Sequence, residues 1–239
     1  MRALTEAELL AGWEAAAGHG PAVRAVALAA AAGGHTFAEA GALPLGARDA
    51  LLVELRAACF PGDLQCLARC PGCGEELDVA VPLSDLRQPA PAPPGEATVT
   101  AGGVRVRYRP LTGLDVLAVD PAAPDARRRL VGRCVLEVEG LPVDGGGELP
   151  REAVAAVAAA LAEADPRADL RIDLTCAVCG HGWAAPFDVP AHVWADVDAC
   201  ARGLLADVHA LALAYGWPEA DILALGPARR RFYLEAIGA

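Results

Sequence analysis

Apolar positions along this chain change their period several times. Leu9, Leu10 and Trp13 recur at the three-to-four-residue spacing of a helical face, and Thr5 followed by Glu8 supplies a capping box ahead of them. His19-Gly20-Pro21 ends that helix; a second is predicted over Ala22–Ala32, closed by Gly33-Gly34, and a third after Gly46 carries Leu51, Leu52, Leu55 and Cys59 on one side. The period then drops to two. Leu64, Cys66 and Ala68 alternate with Gln65, Leu67 and Arg69, and beyond Cys70-Pro71-Gly72-Cys73-Gly74 the residues Leu77, Val79 and Val81 alternate again. That pattern predicts a β-hairpin with a cysteine knuckle at its tip.

Four prolines between Arg87 and Gly95 mark a loop. Ala97–Thr100 and Val104–Tyr108, joined through Ala101-Gly102-Gly103, read as a further hairpin. Thr112 with Asp115 starts a capped helix, and helices are predicted over Thr112–Val119, Ala122–Glu137 and Pro150–Ala164, with Gly145-Gly146-Gly147 as a flexible joint. Leu170, Ile172 and Leu174 restore the strand period; Cys176-Ala177-Val178-Cys179-Gly180 follows, and Trp183, Ala185 and Phe187 alternate after it. The end is helical. Trp194, Val197, Leu204, Val208, Leu211 and Tyr215 line one long helix, Pro218 opens a short one closed by Gly226, and Pro227 opens the last.

The two knuckle regions are an internal repeat. Asp63-Leu64 and Asp169-Leu170, both cysteine pairs, the glycine after each pair and the apolar positions beyond it fall at equal offsets without a gap. Two cysteines separated by two residues supply half of a tetrahedral zinc shell, so Cys70, Cys73, Cys176 and Cys179 together complete one Zn²⁺ site. With four thiolates no coordination position stays open, and such an ion organises structure rather than activating water. About a hundred residues separate the halves, so the segment Leu86–Arg167 reads as an insertion growing out of a zinc ribbon. A redox dithiol is the competing use of Cys-x-x-Cys, but that motif opens a helix, and neither knuckle here precedes a helical pattern. His181 reads as a surface residue of its knuckle, and Cys59, Cys66, Cys134 and Cys200 as core residues.

Composition narrows the function. The chain of 239 residues is 54% hydrophobic and 21% charged, which fits a globular protein. Its net charge of −11 disfavours nucleic acid as a partner. Every basic side chain is Arg; without a Lys there is no phosphate-loop motif, and Ser84, the only serine, sits in no nucleophile elbow. Neither a catalytic constellation nor a small-molecule substrate suggests itself. No membrane span is expected either, and Glu6 and Glu8 stand where a secretion signal needs basic residues, so the expected location is the cytoplasm.

The C-terminal third carries a resemblance. Cys176-Ala-Val-Cys-Gly-His-Gly-Trp183, Pro186-Phe-Asp188, Trp194, Leu204-Leu-Ala-Asp-Val-His209, Ala214-Tyr-Gly-Trp217-Pro-Glu-Ala-Asp-Ile-Leu223 and Pro227-Ala-Arg-Arg-Arg231-Phe-Tyr-Leu, with Leu43-Pro-Leu-Gly-x-Arg-Asp49, resemble the T-even-like phage baseplate hub assembly chaperone family. What this resemblance implies is a helper or minor component in building the baseplate or hub of a contractile injection system or phage-tail-like particle, with baseplate or hub proteins as partners. Trp217, Ile222, Leu223, Phe232 and Tyr233, beside Arg229, Arg230 and Arg231, form the candidate docking patch, since aromatic and Arg side chains are enriched at interfaces. Closing the core is the competing use of those aromatics. Alternatives to a chaperone are a zinc-ribbon subunit retained in the baseplate and a zinc-ribbon regulator that binds nucleic acid.

The expected fold is therefore α+β: a zinc-ribbon-like antiparallel β core of two knuckle hairpins, helices at both ends, and an α/β insertion. Its segments are an N-terminal helical part (1–60), the first hairpin (61–86), the insertion of a hairpin plus helices (87–168), the second hairpin (169–190) and a C-terminal helical tail (191–239).

Overall fold

The computed structural model describes residues 2–87, 95–139, 141–142 and 149–238, with 141–142 as backbone. Four helices open the chain: α1 (Glu6–Ala17), α2 (Pro21–Gly33), α3 (Phe37–Ala42) and α4 (Leu45–Cys59). The capping box of α1 forms, with the Glu8 N–H donating to Thr5 Oγ1 at 3.2 Å and the Thr5 N–H to the Glu8 carboxylate at 2.8 Å. Thr36 and Glu39 repeat the device on α3, a helix absent from the sequence reading because its six residues are too short to show a period.

The first hairpin is β1 (Leu64–Arg69) with β2 (Glu76–Val81), and a single turn, α5 (Leu83–Leu86), follows it. The insertion holds β3 (Ala97–Ala101), β4 (Val104–Tyr108), α6 (Gly113–Leu117), α7 (Ala126–Cys134), β5 (Val135–Val138), β6 (Leu141–Pro142) and α8 (Arg151–Ala164). A 3₁₀ turn over Pro166–Asp169 leads into the second hairpin, β7 (Arg171–Thr175) and β8 (Gly182–Pro186). The chain ends with α9 (Val189–Tyr215), α10 (Glu219–Leu223) and α11 (Pro227–Ala236). The architecture is mixed α+β with small antiparallel sheets.

Its main interior lies between helices, which differs from the antiparallel β core expected. Val26 of α2, Leu52 and Leu55 of α4, and Val189, Val193 and Val197 of α9 are almost fully buried in one cluster with Leu9 and Leu10 of α1. The hairpins add their bases to it, through Leu64, Val81 and Phe187. A reason lies in size: each hairpin is a separate two-stranded ladder, too small to enclose an interior of its own.

A second cluster fills the space between the four-stranded sheet β3-β4-β5-β6 and helices α7 and α8, with Val106, Val131, Val135, Ala153 and Val157 at its centre. Here the helix expected over Ala122–Glu137 is corrected. It starts late, at Ala126, after Pro121 and Pro124, and it stops at Cys134. Val135–Val138 instead extends and pairs with β4, placing Val106 opposite Val138 and Arg107 opposite Glu137. Two β-branched residues and a cross-strand ion pair outweigh helical spacing there. On α6, the buried Asp115 accepts from Thr112 and pairs with Arg109 at 2.6 Å and Arg133 at 3.1 Å, tying the helix to β4 and α7. The Gly145-Gly146-Gly147 joint and the prolines of the 87–95 loop lie outside the described residues.

The repeat reaches well beyond the knuckles. Shifted by 106 residues, the spacing from Cys70 to Cys176, Pro44 falls on Pro150, and both cap a helix with nearly equal dihedrals (φ −52°, ψ 146° and φ −55°, ψ 145°). Helix α4 falls on α8, hairpin β1–β2 on β7–β8, and the starts of α5 and α9 coincide, at Leu83 and Val189. At each hairpin base the same pair closes the ladder: Leu64 faces Val81, and the Phe187 N–H donates to the Leu170 carbonyl at 2.8 Å.

Candidate metal centre

Each knuckle is built the same way from its own backbone. The Gly74 N–H returns to the Cys70 carbonyl at 2.9 Å and the Cys70 N–H to the Glu75 carbonyl at 2.8 Å; the Gly180 N–H to Cys176 and the Cys176 N–H to His181 repeat these at 2.9 Å. Both turns need a left-handed residue after the second cysteine, and Gly74 (φ 79°) and Gly180 (φ 71°) supply it. The chain therefore turns back sharply enough for two sulfurs to point the same way.

The two tips meet. Cys70 Sγ lies 3.6 Å from Cys179 Sγ, Cys73 Sγ lies 3.7 Å from Cys176 Sγ, and all four sulfurs lie within 4.8 Å of one another. These contacts are far too long for disulfides, and all eight cysteines are free. Four sulfurs about 2.3 Å from a common centre stand roughly 3.8 Å apart along tetrahedral edges, which is close to the spacing found. The residues present thus fit a four-thiolate metal ion.

Burial and hydrogen bonding divide the ligands into inner and outer pairs. Cys70 and Cys176 are buried, whereas Cys73 and Cys179 are exposed. Desolvation pushes the Cys70 thiol up, but hydrogen bonds from the backbone of Cys73 and Gly72 outweigh it and hold the group down at about 7. For Cys73 the Glu75 N–H works downward, yet the neighbouring sulfurs of Cys179, Cys176 and Cys70, together with burial, push it up to about 12. Four crowded sulfurs resist full ionisation, and a divalent cation would supply the charge that relieves them.

Gly72 makes the approach of the tips fit. A Cβ there would stand 3.2 Å from His181, whose ring stacks on Trp183. The equivalent residue of the second knuckle, Val178, is 67% exposed. Among the described residues no histidine or carboxylate joins the sulfur cluster, and Cys59, Cys66, Cys134 and Cys200 stand apart from it. Burial pushes the Cys134 thiol up to about 12, consistent with a core residue.

A second contact joins the repeats below the metal centre. The Gly46 N–H, in the first turn of α4, donates to Asp165 at the end of α8 at 2.9 Å, and a Cβ on Gly46 would collide with that carboxylate. Beside it, the buried Arg48 and Asp49 pair at 2.6 Å, and desolvation raises the Asp49 carboxyl to about 6 despite that partner. Sequence reasoning missed this function of Gly46. The doubled Leu-Pro at Leu43-Pro44 and Leu149-Pro150 was the signal that could have aligned α4 with α8.

The C-terminal candidates separate. Ile222 is fully buried, and Arg230 is buried against Glu6 at 2.5 and 2.6 Å and Asp207 at 3.1 Å, so both serve the interior and drop out of the docking patch. Leu223 is half-buried against the core. Phe232 is 66% exposed, and Arg229 and Arg231 are exposed. Rings run on from there: Tyr215 stacks on Trp217 at 4.7 Å, Trp217 meets Tyr233 edge-on at 5.0 Å, and Tyr233 meets Phe232 at 5.6 Å.

Among the described residues no helix is long and apolar enough to cross a membrane. No protein-family model matches the chain, and comparisons with curated proteins and with solved structures find no match.

Proposed function

We propose that this chain is a non-enzymatic assembly factor, stapled by one structural zinc ion, for the baseplate or hub of a contractile injection system or phage-tail-like particle. The observation that carries the zinc is the convergence of Cys70, Cys73, Cys176 and Cys179 at near-tetrahedral sulfur spacing from two hairpins remote in sequence. Soft thiolates in a four-sulfur shell select Zn²⁺ over hard cations, and a closed shell has no position for substrate. The baseplate assignment is supported by the resemblance carried by the second knuckle, the Tyr-Gly-Trp217 segment and the Arg229–Arg231 tail. Partner docking is supported by the ring run from Tyr215 to Phe232 beside two exposed arginines. Action in the cytoplasm follows from the same proposal, because a reducing compartment keeps the thiolates available.

Two measurements test it. Elemental analysis of freshly reduced protein is expected to find one zinc per chain; metal-free, fully folded protein would reject the staple. Mass spectrometry of purified particles is expected to find the chain at trace level, and stoichiometric presence would make it a resident zinc-ribbon subunit instead.

A further inference from the structure

Two neighbouring cavities share a wall, one at the seam between α4 and the insertion and the other within the insertion. One, of about 230 Å³, is walled by apolar side chains from several elements, Leu45 of α4, Leu111, Leu130 of α7 and Leu161 of α8. The other, of about 420 Å³, lies between α7 and α8 and is lined by Arg127, Arg128 and Arg151. Arg127 lines both.

Two of the four arginines at this place have no ion-pair partner among the described residues. Arg129 turns away to pair with Asp125 at 2.8 Å, which also occupies the one carboxylate lining the second cavity. Arg128 reaches the Leu149 carbonyl at 3.2 Å. Arg127 and Arg151 are exposed and make no ion pair among the described residues, in a chain whose net charge is −11. The two carboxylates lining the apolar cavity are engaged elsewhere: Asp165 accepts from Gly46, and Asp169 pairs with Arg171 at 3.2 Å.

We infer that this seam is a docking site for an acidic segment of a partner protein that inserts one large apolar side chain. The apolar cavity has roughly the volume of a large aromatic residue and would take the anchor; a buried apolar anchor is the usual centre of an interface. Carboxylates flanking the anchor would lie along Arg127, Arg128 and Arg151, where Arg binds carboxylates in fork geometry. A free small carboxylic acid would use Arg127 alone and leave the second cavity empty, so the row of three favours an extended acidic chain. The inference rests on the assembly-factor reading only for the kind of partner, not for the site.

The test is fluorescence anisotropy of the full-length, zinc-loaded protein with a labelled Gly-Asp-Glu-Trp-Glu-Asp-Gly peptide. Saturable binding is expected, weakened at least tenfold when the peptide's Trp becomes Gly. Arg127→Glu and Arg151→Glu should each weaken it at least tenfold, and Ala162→Trp, which fills the apolar cavity from an exposed position on α8, should abolish it. Zinc content and melting temperature report whether each variant still folds. Unsaturable binding, equal binding of the Gly peptide, or indifference to Ala162→Trp in a folded variant overturns the site. Binding of indole-3-acetate as tight as the peptide overturns the extended-segment form of it. If the peptide fails while zinc is retained and particle proteins are still captured, only this site is lost; failure to capture any particle protein would instead remove the assembly-factor reading.

Discussion

The two helix–hairpin units repeat the same elements in the same order yet solve different packing problems. Helix α4 runs through the main interior and buries Arg48, Asp49 and Arg56 along with Leu52 and Leu55. Helix α8, its counterpart, lies on the sheet of the insertion and buries only Ala153 and Val157. At equivalent places Arg56 corresponds to Ala162 and Asp49 to Ala155. Arg56 donates to the carbonyls of Phe60, Gly62 and Asp63 and pairs with Asp196 at 2.6 Å, so it fastens the first hairpin to α4 and α9. Ala162, at the place of Arg56, cannot form such a clamp, and Asp165 ties α8 to α4 instead. A repeat can thus preserve its element order and cysteine positions while its helices diverge with their surroundings.

The largest effect should erase the difference between units. Cys70→Ser and Cys176→Ser, at equivalent places in a shared shell, are each expected to lose the metal and several of the about 10–16 kcal/mol that structural zinc supplies in small peptides. The double variant should cost little more than either alone, because one ion is lost only once. Thermal denaturation with metal analysis checks this, and additive losses would mean two separate sites.

Next, the same substitution at equivalent leucines should expose the different packing. Leu55, 1% exposed, should cost about 2–5 kcal/mol when changed to Ala, whereas the half-buried Leu161 should cost about 1 kcal/mol or less. Urea titration of both variants decides, and equal losses would show the two helices to be equally deep. Arg56→Ala should remove about 3 kcal/mol, since several charge-assisted hydrogen bonds go with it, while Ala162→Arg should stay within about 0.5 kcal/mol.

The last effect concerns pH. An aspartate whose folded pKa is raised to about 6 binds its proton more tightly in the folded state, so its contribution is fullest below the unfolded value near 4 and declines as pH rises through about 6. Asp49→Asn should flatten that decline, worth at most about 3 kcal/mol, and Ala155 offers the second unit nothing comparable. Stability measured at several pH values between 4 and 7 checks it; an unchanged slope would place the titration elsewhere.

Much of the metal centre was legible in the sequence because its information is local. Cys-x-x-Cys-Gly states a turn, two ligands and a left-handed residue within five positions, and two equal copies state a complete shell. Helices with a capping box and an apolar period, such as α1, were equally open to inspection. What escaped was decided at a distance. Val135–Val138 becomes a strand because β4 lies beside it, and nothing in its own spacing announces that neighbour. Arg230 sits in a run of three arginines that look alike in sequence, and the arrival of Glu6 from the other end of the chain, with Asp207 of α9, selects the middle one for burial. The main interior moved from hairpins to helices for the same reason: burial belongs to the partner surface as much as to the strand.

The spacing of 106 residues between matching ligands also sets a timetable for synthesis. At ribosomal rates of about 5–20 residues per second, the first knuckle emerges roughly 5–20 seconds before the second. During that interval Cys70 and Cys73 form half a coordination shell that cannot close on itself. Closure of the four-sulfur cluster therefore waits for the second knuckle, and a nascent chain stalled before Cys176 would leave an open dithiol exposed to any metal or thiol that passes.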